Sequence, residues 1–281
     1  MSSAAAAPRA ASKTAGQENF PVASLLLAAS KRATIMAYYR FARHADDIAD
    51  SADLTPEDKV ARLDRLDAAL MGGEDSPEVA LAVRYRRAVG GDAVLIGHAS
   101  RLLPAFRRDS VRDHCADWAD LMAYCDHSAA PVGRFLLDLH GESHDTFPPA
   151  DALCAALQVL NHLQDCGKDY LELKRVYLPR DWMRAAGMSL DMLEREASTP
   201  QLRAVIARTL DATDGLIRLA TPLPGLIRDT RLKLQTAITL RVAERLSRLL
   251  RKGDPLAGRV ALGRMDKANI LVSGIIRGLT A

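Results

Sequence analysis

Apolar residues recur at intervals of three and four along nearly the whole chain, as at Leu63, Leu66 and Leu70 and again at Leu153, Leu157 and Leu160. That spacing matches one turn of an α-helix and gathers the side chains on one face. No stretch alternates apolar and polar residues as a half-buried strand does. Such a chain can bury its apolar faces only by packing helix on helix, so the fold class is all-α. Composition agrees. Aromatic residues are 5% of the chain, and 17 Gly and 13 Pro are few for 281 residues, which counts against a sandwich or barrel. A hydrophobic share of 48% supplies a sizeable core.

Punctuation marks divide the helices. Thr55-Pro56-Glu57-Asp58 reads as an N-cap, a first-turn proline and first-turn acids, and Ser76-Pro77-Glu78 and Thr199-Pro200-Gln201 repeat the signature. Gly72-Gly73 and Gly90-Gly91 read as stops. Helices are predicted over 22–51, 56–71, 77–89, 92–108, 112–126, 129–140, 150–173, 189–195, 200–220, 224–252 and 255–278. No long linker or internal repeat interrupts them, so residues 18–281 are expected to form one domain behind a disordered tail over 1–17. The tail lacks the apolar core of a secretion signal.

Charge narrows the partners. A net +3 gives no reason to expect nucleic acid. No uncharged apolar run is long enough to span a bilayer. Cys115, Cys125, Cys154 and Cys166 match neither a zinc pattern nor a redox pair, and read as buried free thiols of a cytoplasmic protein.

Two polar rows carry the chemistry. On a helix, Tyr39, Arg43, Asp46 and Asp50 fall on one face, and far downstream so do Gln158, Asn161, Asp165 and Asp169. The second row rides on a helix whose neighbouring face is apolar, through Leu153, Leu157, Leu160 and Leu163. A solvated face is the ordinary fate of such acids. Two rows, each beside an amide or an arginine, also fit a shared cation. Oxygen-only ligands suit Mg2+, which is typically held by one or two carboxylates with substrate phosphate and water completing its octahedron. Two such helices could clamp a diphosphate, with Arg43 adding a charged fork. Neutralised in this way, a diphosphate becomes a leaving group, and an apolar pocket would shield the carbocation left behind.

These residues resemble the squalene/phytoene synthase family, whose members join isoprenyl diphosphates head to head. Tyr39-x3-Arg43-x2-Asp46-x3-Asp50 is similar to the family's first aspartate-rich helix, and Gln158-x2-Asn161-x3-Asp165-x3-Asp169 to its second. Arg175-Val176-Tyr177-Leu178-Pro179 is similar to its signature tail, and the stretch from Tyr124-Cys125 through Ala130 to Val132-Gly133 to a further segment. The resemblance implies an isoprenoid-synthase-type bundle around a central apolar cavity. It implies Mg2+ on Asp46, Asp50, Asn161, Asp165 and Asp169. It gives catalytic roles to Tyr39, Arg43 and Tyr124, and substrate contacts to Arg43, Gln158, Asn161, Arg175, Tyr177 and Arg259. Ala49 stands where many relatives carry Glu, one ligand fewer.

Within the family, Glu18–Ser24 and Pro131-Val132-Gly133-Arg134 resemble the bacterial hopanoid-pathway branch that turns presqualene diphosphate into hydroxysqualene. The steps expected are ionisation, rearrangement and water capture. No strand–GxGxxG–helix unit for a nicotinamide is visible, which is compatible with water capture rather than reduction. No carboxy-terminal anchor like that of eukaryotic squalene synthases is expected. The alternatives are a head-to-head transferase acting on farnesyl diphosphate, making presqualene diphosphate, dehydrosqualene or phytoene, and a non-catalytic helical assembly factor. His127, the pair His140 and His144, and Lys168 read as structural or solvent-facing. Arg241, Arg245, Arg248, Arg251 and Lys252 form a late basic stripe, ordinarily solvated but also suited to anionic lipid headgroups, so peripheral contact with a membrane or with neighbouring pathway enzymes is an open expectation.

Overall fold

The computed structural model describes residues 28–281. The expected tail, the Glu18–Ser24 segment and the expected helix start at 22 lie outside them. The described chain forms α1 (Ala29–Asp50), α2 (Pro56–Leu70), α3 (Ala80–Ala88), α4 (Ala93–Ser100), α5 (Leu103–Val111), α6 (Trp118–Ser128), α7 (Ala130–His140), α8 (Phe147–Leu173), α9 (Arg180–Ala185), α10 (Pro200–Ala220), α11 (Leu223–Leu226), α12 (Thr230–Lys252) and α13 (Arg264–Thr280). Among the described residues no strand forms, and His114 and Val176 make an isolated parallel bridge.

Several boundaries differ from the sequence expectation, each for a local reason. The single helix expected over 92–108 is two, because Pro104 in the first turn of α5 has no N–H to give the preceding turn. The helix expected from 112 begins at 118, since residues 113–116 are extended and bond to the chain after α8. The one expected from 255 begins at 264, beyond a loop that docks on α8. The one expected over 224–252 is split into α11 and α12, with Asp229 capping α12. The short α9 was not expected. Where the cap signature carries a threonine it works as read: Thr55 accepts from the Asp58 N–H and Thr199 from the Leu202 N–H. Ser76 makes no such bond and opens a 3-10 turn instead.

Two halves meet around α8. α1 packs on α2, α3 and α5, while α8 packs on α10, α7, α12 and α6. α8 buries residues on most of its circumference, from Ala152 and Leu153 to Cys166 and Gly167, as the central helix of a bundle must. The halves join where α4 meets α7 and α5 meets α6. Aromatic packing locks one junction: Tyr38 on α1 stacks on Phe135 of α7 at 4.0 Å, with Tyr85 of α3 edge-on to both. α13 lies outermost, against α12. Gly274 and Gly278 permit the close approach; a Cβ at 274 would come within 2.6 Å of Ile238 Cγ1.

Candidate active site

The site is organised by the turn that ends α8. Lys174 adopts the left-handed conformation (φ 55°), and the N–H groups of Lys174 and Arg175 donate back to the carbonyls of Tyr170 and Asp169. The chain then runs extended beside residues 113–116. Val176 N–H donates to Asp113 O at 2.7 Å, and Arg180 N–H to Cys115 O at 3.1 Å. Extended backbone alternates its side chains between faces. Val176 and Leu178 therefore enter the core, and Arg175 and Tyr177 share the other face.

Arg175 reaches from the end of α8 to the end of α1. Its Nη1 is 2.5 Å from Asp50 Oδ1, and its Nη2 donates to the Ala49 carbonyl at 2.8 Å. Its side chain is only 8% exposed. Burial works to lower its pKa, but the charges of Asp109 and Asp50 outweigh this and hold it firmly protonated. Ala49, the position one ligand short, thus serves through its backbone.

One turn back on α1, Arg43 forks between Asp46 and Asp47, at 2.8 Å to each. Asp46 is 33% exposed yet set among other acids. Desolvation first, then the charge of Asp50, push its carboxyl up to about 8. Tyr39, a turn earlier on the same face, is half-buried.

On α8 the expected row stands out by exposure. Gln158, Asn161, Asp165 and Asp169 are all half-buried, while Leu157, Leu160, Leu163 and Gln164 beside them are buried. The row is therefore partly accessible where its neighbours are not. Lys168 points away, exposed and 3.8 Å from Glu172. His162 sits between row and tail: it stacks on Tyr177 at 3.6 Å, lies 3.2 Å from the Gln158 amide nitrogen and 3.8 Å from an Asp169 oxygen. Tyr124 of α6 closes the cluster. Its ring centre is 5.3 Å from that of Tyr177, and its hydroxyl donates to Asp109 Oδ2 at 2.7 Å. Burial, then Asp109, raises the pKa of both tyrosines, so both are neutral phenols. Arg259 is exposed on the loop before α13. The next residue, Val260, accepts through its carbonyl from the Gln164 amide of α8 at 2.5 Å.

Contacts thus join Asp50 to Arg175, and Tyr177 through His162 to Gln158 and Asp169, while Arg175 and Tyr177 stand two residues apart on one face of the extended chain. Asp109 was not anticipated. It is the one acid on α5, since Asp113, four residues on, lies past the end of that helix in the extended segment, and only the tertiary approach of Tyr124 and Arg175 gives it a role. His162 was also unassigned, one residue off the row. His127 is half-buried and bonds the Ala123 carbonyl, and His140 bonds the Leu136 carbonyl while His144 pairs with Asp138. The four cysteines are free thiols.

Among the described residues, no three His, Cys, Asp or Glu side chains gather closely enough to hold a metal by themselves. The acids stand as pairs one turn apart, Asp46 with Asp50 and Asp165 with Asp169. Pairs suit an ion that takes few protein ligands and completes its shell with phosphate oxygens. The rise in the Asp46 pKa comes first from desolvation and then from the negative charge of Asp50, and a divalent cation would relieve the second.

The squalene/phytoene synthase family profile matches residues 13–266. The hydroxysqualene synthase of Rhodopseudomonas palustris is 46% identical over 251 residues, 89% of this chain and 85% of that protein. The hydroxysqualene synthase of Sinorhizobium fredii is 42% identical over 260 residues, 92% of this chain and 87% of that protein. Among solved structures, a dehydrosqualene synthase in complex with a ligand superposes with a TM-score of 0.80 at 22% identity, over 94% of this chain and 92% of that one, a likeness of fold. Squalene synthase HpnC from Alicyclobacillus acidocaldarius superposes with a TM-score of 0.69 at 30% identity, over 82% of this chain and 87% of that one.

Proposed function

The chain belongs to the squalene/phytoene synthase family, and on that premise we propose that it converts presqualene diphosphate to hydroxysqualene with Mg2+, as a step of hopanoid biosynthesis. It is an isoprenoid-processing synthase of squalene type. The observation that carries the finer reading is the joining of the α1 acids to the α8 tail through Arg175 and Asp50, in a chain 42% to 46% identical to hydroxysqualene synthases.

Asp46 and Asp50 on one side, and Asn161, Asp165 and Asp169 on the other, would hold Mg2+, which when bound neutralises a diphosphate and makes it a leaving group. Arg43 is placed to fork onto phosphate oxygens once its hold on Asp47 loosens. Arg175 orients Asp50, and its fixed positive charge balances the buried acids. Gln158 positions His162, which supports the Tyr177 ring. The faces of Tyr124 and Tyr177 offer negative quadrupole to a passing carbocation, and their neutral hydroxyls do not trap it as phenolates would. The family resemblance gives Tyr39, on the acidic face of α1, a catalytic role and Arg259, next to the residue that accepts from Gln164 of α8, a substrate contact. In the reaction the C–O bond to diphosphate breaks with its electron pair on oxygen. The cyclopropylcarbinyl cation rearranges, and water adds to carbon and releases a proton.

The test is purified protein, Mg2+ and presqualene diphosphate, with no reductant and products identified by mass. An alcohol, abolished by EDTA and restored by Mg2+, is expected. Turnover of farnesyl diphosphate with none of presqualene diphosphate would assign the chain to the head-to-head transferases instead.

A further inference from the structure

α13 carries apolar residues on the wrong side for a helix that only packs inward. Its inner face, Ile270, Gly274 and Gly278, lies against α12. Met265, Ala268, Val272, Ile276 and Leu279 follow one another at three- and four-residue steps on the outside. Met265 is 75% exposed, Val272 60%, Ile276 58% and Leu279 70%. Of the eleven exposed large hydrophobic residues among the described ones, five lie on this helix. Such concentration marks an interaction surface rather than scattered chance exposure.

The neighbouring surface is basic. A cleft of about 340 Å3 between α12 and α13 is lined by Arg241, Arg245, Arg248, Asn269 and Ser273, with Asp266 at one wall. Its volume is at the lower end of small-ligand sites. At about 100° per residue, the apolar stripe follows directly round the helix from the cleft wall. Residues 241–281 contain nine Lys and Arg against three Asp and Glu, in a chain whose whole net charge is +3. Glu244 is shared by Arg241 and Arg277, and Asp266 pairs with Arg245. Arg248, Arg264 and Lys267 have no ion-pair partner among the described residues, and Arg241 Nε is buried without a hydrogen bond. The anionic complement is therefore absent from the described residues.

We propose that α13 docks in the interface of an anionic lipid bilayer, with the apolar stripe against the acyl boundary and a lipid phosphate headgroup in the α12–α13 cleft. An apolar stripe flanked by cations is the arrangement of an in-plane interfacial helix. Among the described residues no helix is long and apolar enough to cross a membrane, so the contact is one of lying on the surface. A protein partner or a second copy would bury the stripe equally well, but neither explains the unpaired arginines beside it. This docking is independent of the reaction proposed above.

The test uses the full chain in vesicle flotation, with pure phosphatidylcholine against roughly one-third phosphatidylglycerol. Binding to the anionic vesicles, weakened by salt, is expected. R248Q/R264Q should weaken it about twenty-five-fold, since each surface cation contributes about fivefold. V272S/I276S should abolish it, and thermal unfolding of both variants should stay at the wild-type temperature. Absence of binding to anionic vesicles at low salt would overturn the proposal, as would wild-type affinity in either variant. So would sedimentation showing a dimer that V272S/I276S dissociates, with no vesicle binding, which would make the stripe a contact between copies.

Discussion

Arg175 carries more of the site than its single position in the sequence suggests. It is buried, forks between Asp50 and the Ala49 carbonyl, and offsets Asp109. Breaking a buried ion pair by removing one partner leaves the other charge uncompensated, at a cost of about 3 kcal/mol. Arg175→Ala should lower unfolding stability by about that amount in urea denaturation and lower kcat/KM at least about a hundredfold. Asp46 provides a pH signature. Its folded-state pKa is raised, so the folded protein binds a proton that the unfolded chain has already released. Its contribution is therefore full below the usual carboxylate range and is lost as pH rises towards about 8. Thermal unfolding of metal-free protein should show stability falling across that window, and Asp46→Asn should remove that part of the slope. An unchanged slope would separate Asp46 from the acidic cluster. At this scale the register of each row was legible, because helical spacing alone puts Asp46 with Asp50 and Asp165 with Asp169. Asp109 was not legible, since nothing local distinguishes it from a solvated acid.

Helix interiors followed from periodicity, whereas their ends depended on contacts made far along the chain. Residues 113–116 have helix-compatible composition, yet they are extended because the backbone after α8 bonds to them. The same pairing is what aims Arg175 and Tyr177, so the misjudged boundary and the site share one cause. Pro104 divides α4 from α5 and was visible in the sequence, but the apolar spacing runs on through it. Close packing of α13 depends on Gly274, where a Cβ would meet Ile238 backbone as well as its side chain. Gly274→Val should overpack that contact and destabilise by about 1–3 kcal/mol. Its expected reading is faster proteolysis confined to α13 with α1 and α8 still protected. Protection equal to wild type would show that α12 and α13 can separate freely to accommodate the larger side chain.

Across the whole molecule, the all-α class was dictated by the apolar spacing, and the central place of α8 by its nearly all-round burial. The link from the end of α1 to the turn that ends α8 was not readable from either helix. It is set by α5, α6 and α7, by the stacking of Tyr38 on Phe135 and by the reach of Arg175. The central functional claim is that two acidic rows from distant parts of the chain act on one diphosphate. A double-mutant cycle on kcat/KM with Asp46→Asn, Asp165→Asn and the pair tests this most directly. Shared action predicts that each single change costs about a hundredfold or more, and that the pair costs far less than the product, a coupling above about 1 kcal/mol. Losses that multiply to within about 0.5 kcal/mol would mean that the two rows work apart, and would contradict the shared clamp.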